Sequence, residues 1–132
     1  MYLYLWIAFG SALGGVARHA LNTYVVGRMG EFFPWGTLLI NVTGSFVIGL
    51  FYTATGPDGR WVVGQAGRLF FVAGVCGGYT TFSAFSLQSL ILARNGEWLR
   101  AGAYVVGSVV FCLVAVWLGH VAATLLNPTR AS

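Results

Sequence analysis

The chain has 132 residues, of which 58% are hydrophobic and only 8% are charged, and its mean hydropathy is +0.79. Ordinary soluble domains carry roughly 25% charged residues, so a soluble enzyme and a disordered chain are excluded as classes. The net charge of +4 rests on 7 basic residues, all of them arginines scattered singly along the chain. Because nucleic-acid binding needs a contiguous basic patch, that class is excluded as well. The composition indicates a protein that lies in lipid.

Charged residues and turn signals divide the chain into four long apolar segments. A transmembrane helix needs roughly 20 predominantly apolar residues. The segments predict four membrane-spanning helices at about 3–26, 35–54, 62–93 and 99–126, in a single domain that covers residues 1–132. The first helix must continue through Arg18 and His19, with the arginine at a helix end or facing protein. Tryptophans at the three later helix starts are typical of the membrane interface: Trp35, Trp61 and Trp98.

The arginines are divided almost evenly between the two sides of the predicted bundle. Four helices place both termini on one membrane face. The terminal face then carries three arginines and the opposite face four: Arg60, Arg68 and Arg130 against Arg18, Arg28, Arg94 and Arg100. This split is too even for the positive-inside rule to choose an orientation. The even split has two possible explanations: the chain has few charges overall, or the chain inserts into the membrane in both directions.

Polar residues inside the second and fourth predicted spans form two stripes. The stripes are each spaced i, i+4, i+8: Thr37, Asn41 and Ser45 in the second span, and Tyr104, Ser108 and Cys112 in the fourth. Such a spacing places side chains along one face of a helix. Hydroxyl and amide groups often hold neighbouring transmembrane helices together by hydrogen bonds. Two aligned stripes of donors also fit a path for a small anion.

The carboxylates all fall in predicted turns: Glu31, Asp58 and Glu97. A proton-coupled exporter needs a titratable group on its pathway inside the membrane, and the other candidates are His19 and His120. We expect these two histidines at opposite membrane faces, where a lone histidine is usually a satisfied interfacial residue. The membrane interior is therefore predicted to hold no fixed negative charge.

The remaining reactive side chains point to no enzyme. Cys76 and Cys112 lie inside predicted spans and are interpreted as unpaired packing residues, which is the usual role of a buried free cysteine. The sequence contains no zinc-ligand spacing, no phosphate-binding glycine loop and no dinucleotide fingerprint. It also lacks a nucleophile with a base nearby in the sequence.

The third span contains the strongest local signal, the segment Gly74–Ser86, in which three glycines precede two adjacent threonines. Such a sequence forms a poor continuous helix. Non-helical backbone at membrane depth is tolerated where it is buried in protein or lines a polar cavity, and its freed carbonyls can bind a cation. Phe82 and Phe85 follow at i, i+3, so their electropositive ring edges can face an anion. Aromatic packing over closely approaching glycines is the alternative interpretation.

The segment Gly-Gly-Tyr-Thr-Thr-Phe-Ser-Ala-Phe-Ser (77–86) resembles the third-helix signature of the Fluc fluoride channels, also called the CrcB family. Residues 34–46, Pro-Trp-Gly-Thr-Leu-Leu-Ile-Asn-Val-Thr-Gly-Ser-Phe, are similar to the family's second-helix motif. Residues 14–18, Gly-Gly-Val-Ala-Arg, resemble its first-helix pattern, and Tyr104 with Ser108 matches its fourth helix. The resemblance covers the whole chain, with four helices in the family's order and spacing.

The resemblance implies an all-α membrane protein with four transmembrane helices, the third broken mid-membrane, in an antiparallel, dual-topology homodimer. It implies a channel in the cell (inner) membrane that passively exports fluoride through two pores. It also implies a structural sodium ion at the dimer centre, held by the backbone carbonyls of Gly77 and Thr80 from both subunits. In the implied fluoride pathway, Phe82 and Phe85 are the pore-facing rings, Asn41 is the amide donor, and Ser108 belongs to the polar track of the fourth helix. Tyr104 and Thr37 would shape the path toward a vestibule, and Arg18 would lie near the aqueous mouth.

Two positions depart from the family pattern. Cys112 stands where a hydroxyl is frequent, and Gln88 stands where an acidic residue is frequent. Both departures bear on the polar track and the vestibule of the expected pore.

The main alternative function is a small four-helix, dual-topology multidrug exporter, which should carry an acid in its first span, and this chain has none there. A third interpretation is a non-transporting membrane subunit whose polar residues only pack helices.

Overall fold

Four helical spans of alternating direction make up the structure, a computed structural model in which residues 1–127 are described. Helix α1 covers Tyr2–Met29 and α2 covers Trp35–Ala54. The third span consists of α3, residues 65–79, and α4, Phe82–Arg94, and α5 covers Trp98–Leu126. Within the described residues, 3 helices are long and apolar enough to cross a membrane: α2, the whole third span Gln65–Arg94, and α5. The predicted all-α membrane fold is confirmed at this level.

The first helix differs from the expectation in both length and polarity. It spans 28 residues, which is enough to cross a bilayer, but it is not among the helices apolar enough to do so by composition. Because α1 continues to Met29, Arg18 lies well inside the helix and not at its end. The arginine instead lines a cavity between protein side chains. Of the two positions that the sequence allowed for it, facing protein is the one observed.

The third span changes its helix type before it breaks. It begins with one α-helical turn at Gln65–Arg68, rather than at residue 62 as predicted, and continues as a π-helix over Leu69–Cys76. A short α-helical stretch, Gly77–Tyr79, leads to two extended residues, Thr80 (ψ 159°) and Thr81 (ψ 112°). The next helix, α4, begins directly after them. The predicted break is therefore confirmed, and it lies at the threonines rather than at the glycines.

Glycines allow α1 and α3 to approach closely. Gly10 on α1 lies against Gly74 on α3, Gly14 lies against the backbone of Val75 and Tyr79, and Gly78 lies against Ser11. A Cβ atom added at Gly78 would lie 2.9 Å from a Cα atom of α1, and one added at Gly14 would lie 2.8 Å from a backbone nitrogen of α3. Small residues spaced four apart on facing helices are typical of tightly packed membrane helices. The glycines thus fix how the segment before the break packs against the first helix.

Helices α2 and α5 run parallel with a constant register. Thr53 Oγ1 and His120 Nδ1 lie 2.8 Å apart in a hydrogen bond between residues separated by 67 positions. Gly49 and Val116 have the same separation, and the Val116 carbonyl occupies the space that a Cβ of Gly49 would need. Residues separated by 67 positions therefore lie at the same height along the two helices. The members of the two polar stripes pair in this way: Thr37 with Tyr104, Asn41 with Ser108, and Ser45 with Cys112.

Five of the described arginines and His120 lie toward the two ends of the bundle, whereas Arg18 and His19 lie inside α1 and line a cavity beside the break. Arg60 and Arg68 donate to carbonyls at the C-terminal ends of α5 and α2, at 3.4 Å and 3.1 Å. Such contacts complement the negative end of a helix dipole. His120 lies at this same end, whereas His19 lines a cavity with the first turn of α2. Three further arginines lie at the ends of helices on the opposite face: Arg28, Arg94 and Arg100. Arg130 is outside the described residues.

Candidate functional site

The break in the third span is held by the side chain of Asn41. Its Nδ2 donates to the Thr81 carbonyl at 3.1 Å, and its Oδ1 accepts the Thr81 N–H at 2.8 Å. The bond to Oδ1 satisfies the Thr81 N–H, which has no acceptor within its own helix, and such a group must find a partner inside a membrane. An amide NH2 group has two hydrogens, so one N–H of Asn41 remains for another acceptor.

Two carbonyls at the break lose the donors that a continuous helix would give them. In an α-helix the N–H of Thr81 would bond to the Gly77 carbonyl, and the N–H of Ala84 would bond to the Thr80 carbonyl. Here the Thr81 N–H bonds to Asn41 at 2.8 Å, and the Ala84 N–H bonds to Thr81 Oγ1 at 3.2 Å. The carbonyls of Gly77 and Thr80 are thereby released from the helix ladder.

A groove of about 360 Å³ opens beside the break, between α2, the third span and α5. It brings together most of the residues expected at the site: Asn41, Gly77, Thr80, Phe82, Phe85 and Ser108. Ser45 and Cys112, the next residues along the two polar stripes, line it as well. Among the described residues that form its walls, none is charged. The groove can therefore offer hydrogen-bond donors without a fixed charge.

The two expected pore rings lie side by side at this groove. The centroids of Phe82 and Phe85 are 5.2 Å apart, with an angle of 47° between the ring planes. Phe85 packs against Tyr104, at 5.2 Å between centroids, and is held by that contact. Phe82 is 77% exposed on the single chain. The ring of Phe85 is therefore held in place within the chain, whereas the ring of Phe82 is free to contact another molecule.

Tyr104 lies behind the groove and does not line it. Its side chain is completely buried, with the ring between Phe33 and Phe85. Its O–H donates to Gln88 Oε1 at 2.7 Å. The sequence does not predict that Gln88 accepts this hydrogen bond. It indicates the position only because Gln88 stands where the family frequently has an acidic residue. Tyr104 therefore positions its neighbours and keeps its hydroxyl proton engaged.

A second cavity, of about 240 Å³, lies on the other side of the break. It is lined by the two remaining expected residues, Arg18 of α1 and Thr37 of α2, together with His19, Asn22 and Gln88. Arg18 has no ion-pair partner among residues 1–127. One cation among hydrogen-bonding side chains, with no carboxylate in the described lining, can attract and hold an anion.

Thr81 is the site residue to which the sequence did not point individually. Its backbone pairs with Asn41, its hydroxyl caps α4, and it lines both cavities. Threonine is a preferred N-cap residue, and a threonine just before a helix start was the available signal. The sequence indicates Thr81 only as one of two adjacent threonines that weaken a continuous helix, whereas the family resemblance gives Thr80 a role as a sodium ligand.

The comparisons with known proteins agree with the motifs. The family described as "CrcB-like protein, Camphor Resistance (CrcB)" matches residues 5–120. A protein of Opitutus terrae named "Fluoride-specific ion channel FluC" is 61% identical over 132 residues, which are 100% of both chains. Proteins of the same name from Methylocella silvestris and Rhodospirillum rubrum are 57% and 59% identical. The matches cover 98% of each chain for the first, and 94% of this chain and 96% of the relative for the second. The chain therefore belongs to the CrcB family.

Proposed function

We propose that this protein is a fluoride-selective ion channel that exports fluoride passively across the cell membrane. The observation that carries the proposal is the groove at the helix break, which combines donors and aromatic edges in walls that bear no charge among the described residues. The relatives named fluoride-specific ion channels support the choice of ion. An ion channel conducts without chemical conversion, so no enzymatic step is part of the proposal.

Fluoride is small and strongly hydrated, so a path through lipid must replace its water. Moving a bare ion into a low-dielectric medium costs on the order of tens of kcal/mol. The free N–H of Asn41 and the hydroxyl of Ser108 can donate to the anion, and Phe82 and Phe85 can turn positive ring edges toward it. The attraction must stay weak enough for release, which favours neutral donors over a fixed cation in mid-path.

The second cavity is proposed as the approach to this path. Thr81 lines both cavities, so the two cavities are adjacent. An anion would pass from Thr37 in the second cavity, along Thr81, into the groove. Arg18 would concentrate anions at the mouth, where a full positive charge does not trap them within the narrow part. Tyr104 would shape the route by fixing Phe85 and Gln88.

We further propose an antiparallel, dual-topology homodimer with two pores and a central structural sodium ion. Gly77 is exposed on the single chain, and the carbonyls of Gly77 and Thr80 have lost their helical donors. Hard cations prefer oxygen ligands, and two copies of the chain would supply carbonyls from both sides. Bound there, sodium would neutralise the carbonyl dipoles where the two breaks meet. The even division of arginines between the two faces supports insertion in both directions.

The direct test is fluoride efflux from liposomes that contain the purified protein, with the membrane potential set by an ionophore. We expect electrogenic fluoride efflux with chloride retained, and no efflux from protein-free liposomes. Fluoride retention by a folded, monodisperse sample would contradict the proposal. Proton-coupled uptake of an organic cation would instead support the multidrug exporter, and co-purification with a larger complex without any ion flux would support the non-transporting subunit.

The sodium and dimer proposals have a separate test. Exchange of sodium for N-methylglucamine at constant ionic strength is expected to lower the dimer fraction and the unfolding temperature in detergent, because facing carbonyls would be left without a cation. Both can be followed by size-exclusion chromatography and thermal unfolding. Readdition of sodium should restore them, and potassium serves as the matched control. Equal stability with and without sodium would remove the ion from the proposal and leave the channel function standing.

A further inference from the structure

Tyr79, the last residue of α3, is tied to α2 through its side chain. Its hydroxyl oxygen lies 2.8 Å from Thr43 Oγ1. A threonine hydroxyl has one proton, and Thr43 donates it to carbonyls of its own helix, at 2.7 Å for Leu39. The Tyr79 O–H is therefore the donor in the bond between the two hydroxyls. Two hydrogen bonds in series thus connect the end of α3 to the backbone of α2.

Helix α2 holds the break in the third span from both sides. Before the break, Thr43 accepts from Tyr79. After the break, Asn41 bonds to the carbonyl and the N–H of Thr81, at 3.1 Å and 2.8 Å. Thr80 is the single residue between these two attachments. The path of the backbone through Thr80 is therefore set by α2.

The side chain and the N–H of Thr80 are fixed as well. Its N–H and its Oγ1 both donate to the Cys76 carbonyl, at 3.0 Å and 2.9 Å. Its methyl group occupies the space that a Cβ of Gly44 would need, and the Tyr79 ring lies beside the same glycine. The Thr80 carbonyl remains, released from the helix ladder because the Ala84 N–H bonds to Thr81 Oγ1. The direction of that carbonyl depends on the two attached neighbours of Thr80.

We propose that Tyr79 is a positioning residue for the central sodium ion, because its hydrogen bond to Thr43 fixes the direction of the Thr80 carbonyl. The inference rests on the sodium site of the proposed function. Neither Tyr79 nor Thr43 lines the groove or the second cavity, so the pair acts through the backbone that it anchors. A ligand oxygen that is held in its bound direction loses less freedom when the ion arrives, and the ion binds more tightly.

The test is the sodium dependence of thermal unfolding for the variant Tyr79→Phe, which keeps the ring and removes the hydroxyl. The purified full chain is measured in detergent while sodium replaces N-methylglucamine at constant ionic strength. We expect the variant to need about three- to tenfold more sodium for the same rise in unfolding temperature, the range that corresponds to one neutral hydrogen bond. Stabilisation by a ligand depends on its affinity, so the difference from the unmodified protein should widen as sodium is added.

Matched variants identify the bond that is responsible. Thr43→Val removes the acceptor and should give the same shift, whereas Thr43→Ser keeps the hydroxyl and should preserve the unmodified response. The double variant of Tyr79→Phe and Thr43→Val should shift no further, because both changes remove one bond. Tyr24→Phe is the control, since Tyr24 is 60% exposed on α1 and its hydroxyl bonds to none of the described residues. It should respond to sodium like the unmodified protein.

The outcomes separate this inference from the proposed function. If sodium stabilises the unmodified protein and Tyr79→Phe differs from it by the same amount at every sodium concentration, the bond only holds helices together and the inference is wrong. If the unmodified protein does not respond to sodium, both the ion and the role of Tyr79 are overturned, and the channel function stands. No fluoride is involved in the measurement, so a protein without flux can still confirm the role of Tyr79.

Discussion

The variant Asn41→Asp is expected to reduce fluoride efflux severely. The carboxylate keeps an acceptor for the Thr81 N–H, now 2.8 Å from Oδ1, but it cannot donate to the Thr81 carbonyl as Nδ2 does at 3.1 Å. It also places a negative charge in a groove whose described walls have none. Repulsion of the anion by this fixed charge raises the barrier to its passage, and an added barrier of about 3 kcal/mol corresponds to a loss of about 100-fold in the rate.

The measurement is the fluoride efflux rate per functional liposome, together with the dimer fraction of the same sample. Asn95→Asp is the matched control, because it makes the same chemical change in a turn that follows α4. It should conduct like the unmodified protein. If Asn41→Asp conducts normally while folded, the assignment of Asn41 to the fluoride path is wrong, although the family assignment is unaffected.

Adjacent glycines in α1 are expected to respond in opposite ways to alanine. A Cβ at Gly14 would lie 2.8 Å from the Tyr79 nitrogen and 3.0 Å from the Val75 carbonyl carbon, whereas a Cβ at Gly15 meets nothing within 4 Å. Overpacking against backbone costs about 1–3 kcal/mol because backbone cannot rotate away. An alanine in an open helical position instead gains roughly 0.5–1 kcal/mol. Gly14→Ala should therefore destabilise the protein, and Gly15→Ala should leave it equally stable or more stable.

Thermal unfolding in detergent, followed by loss of helical circular dichroism, measures the difference between the two variants. The comparison is well matched, because the two positions share a helix, a residue type and a substitution. Equal unfolding temperatures for the two variants would mean that α1 and α3 separate without cost. The close approach of these helices would then not contribute to stability.

The features that the sequence predicted well are those encoded locally. Charge scarcity and apolar segment length indicate the helical spans, and Gly77 and Gly78 followed by threonines indicate the break. The stripes that contain Asn41 and Ser108 follow from helical periodicity alone, and the structure brings both residues to one groove. The similarity to the CrcB family is equally local, since it rests on short motifs.

The features that the sequence did not predict depend on partners distant in the chain. The exact position of the break depends on the bonds between Asn41 and Thr81, which lie 40 positions apart. The π-helix over Leu69–Cys76 has no distinct apolar period by which to recognise it. The burial of Tyr104 behind Phe85 requires knowledge of how α4 meets α5.

The bonds between Asn41 and Thr81 have a consequence for biosynthesis. Alone in lipid, the third span could not keep Thr81 extended, because the Thr81 N–H, which donates to Asn41 Oδ1 in the folded protein, would lack an acceptor. We therefore expect this span to leave the insertion machinery as an uninterrupted helix and to acquire its break only when α2 docks beside it. Because α2 precedes the third span in the chain, it is already in the bilayer when the nascent third span arrives. On this expectation, the break is acquired during maturation and is not a property of the isolated third span.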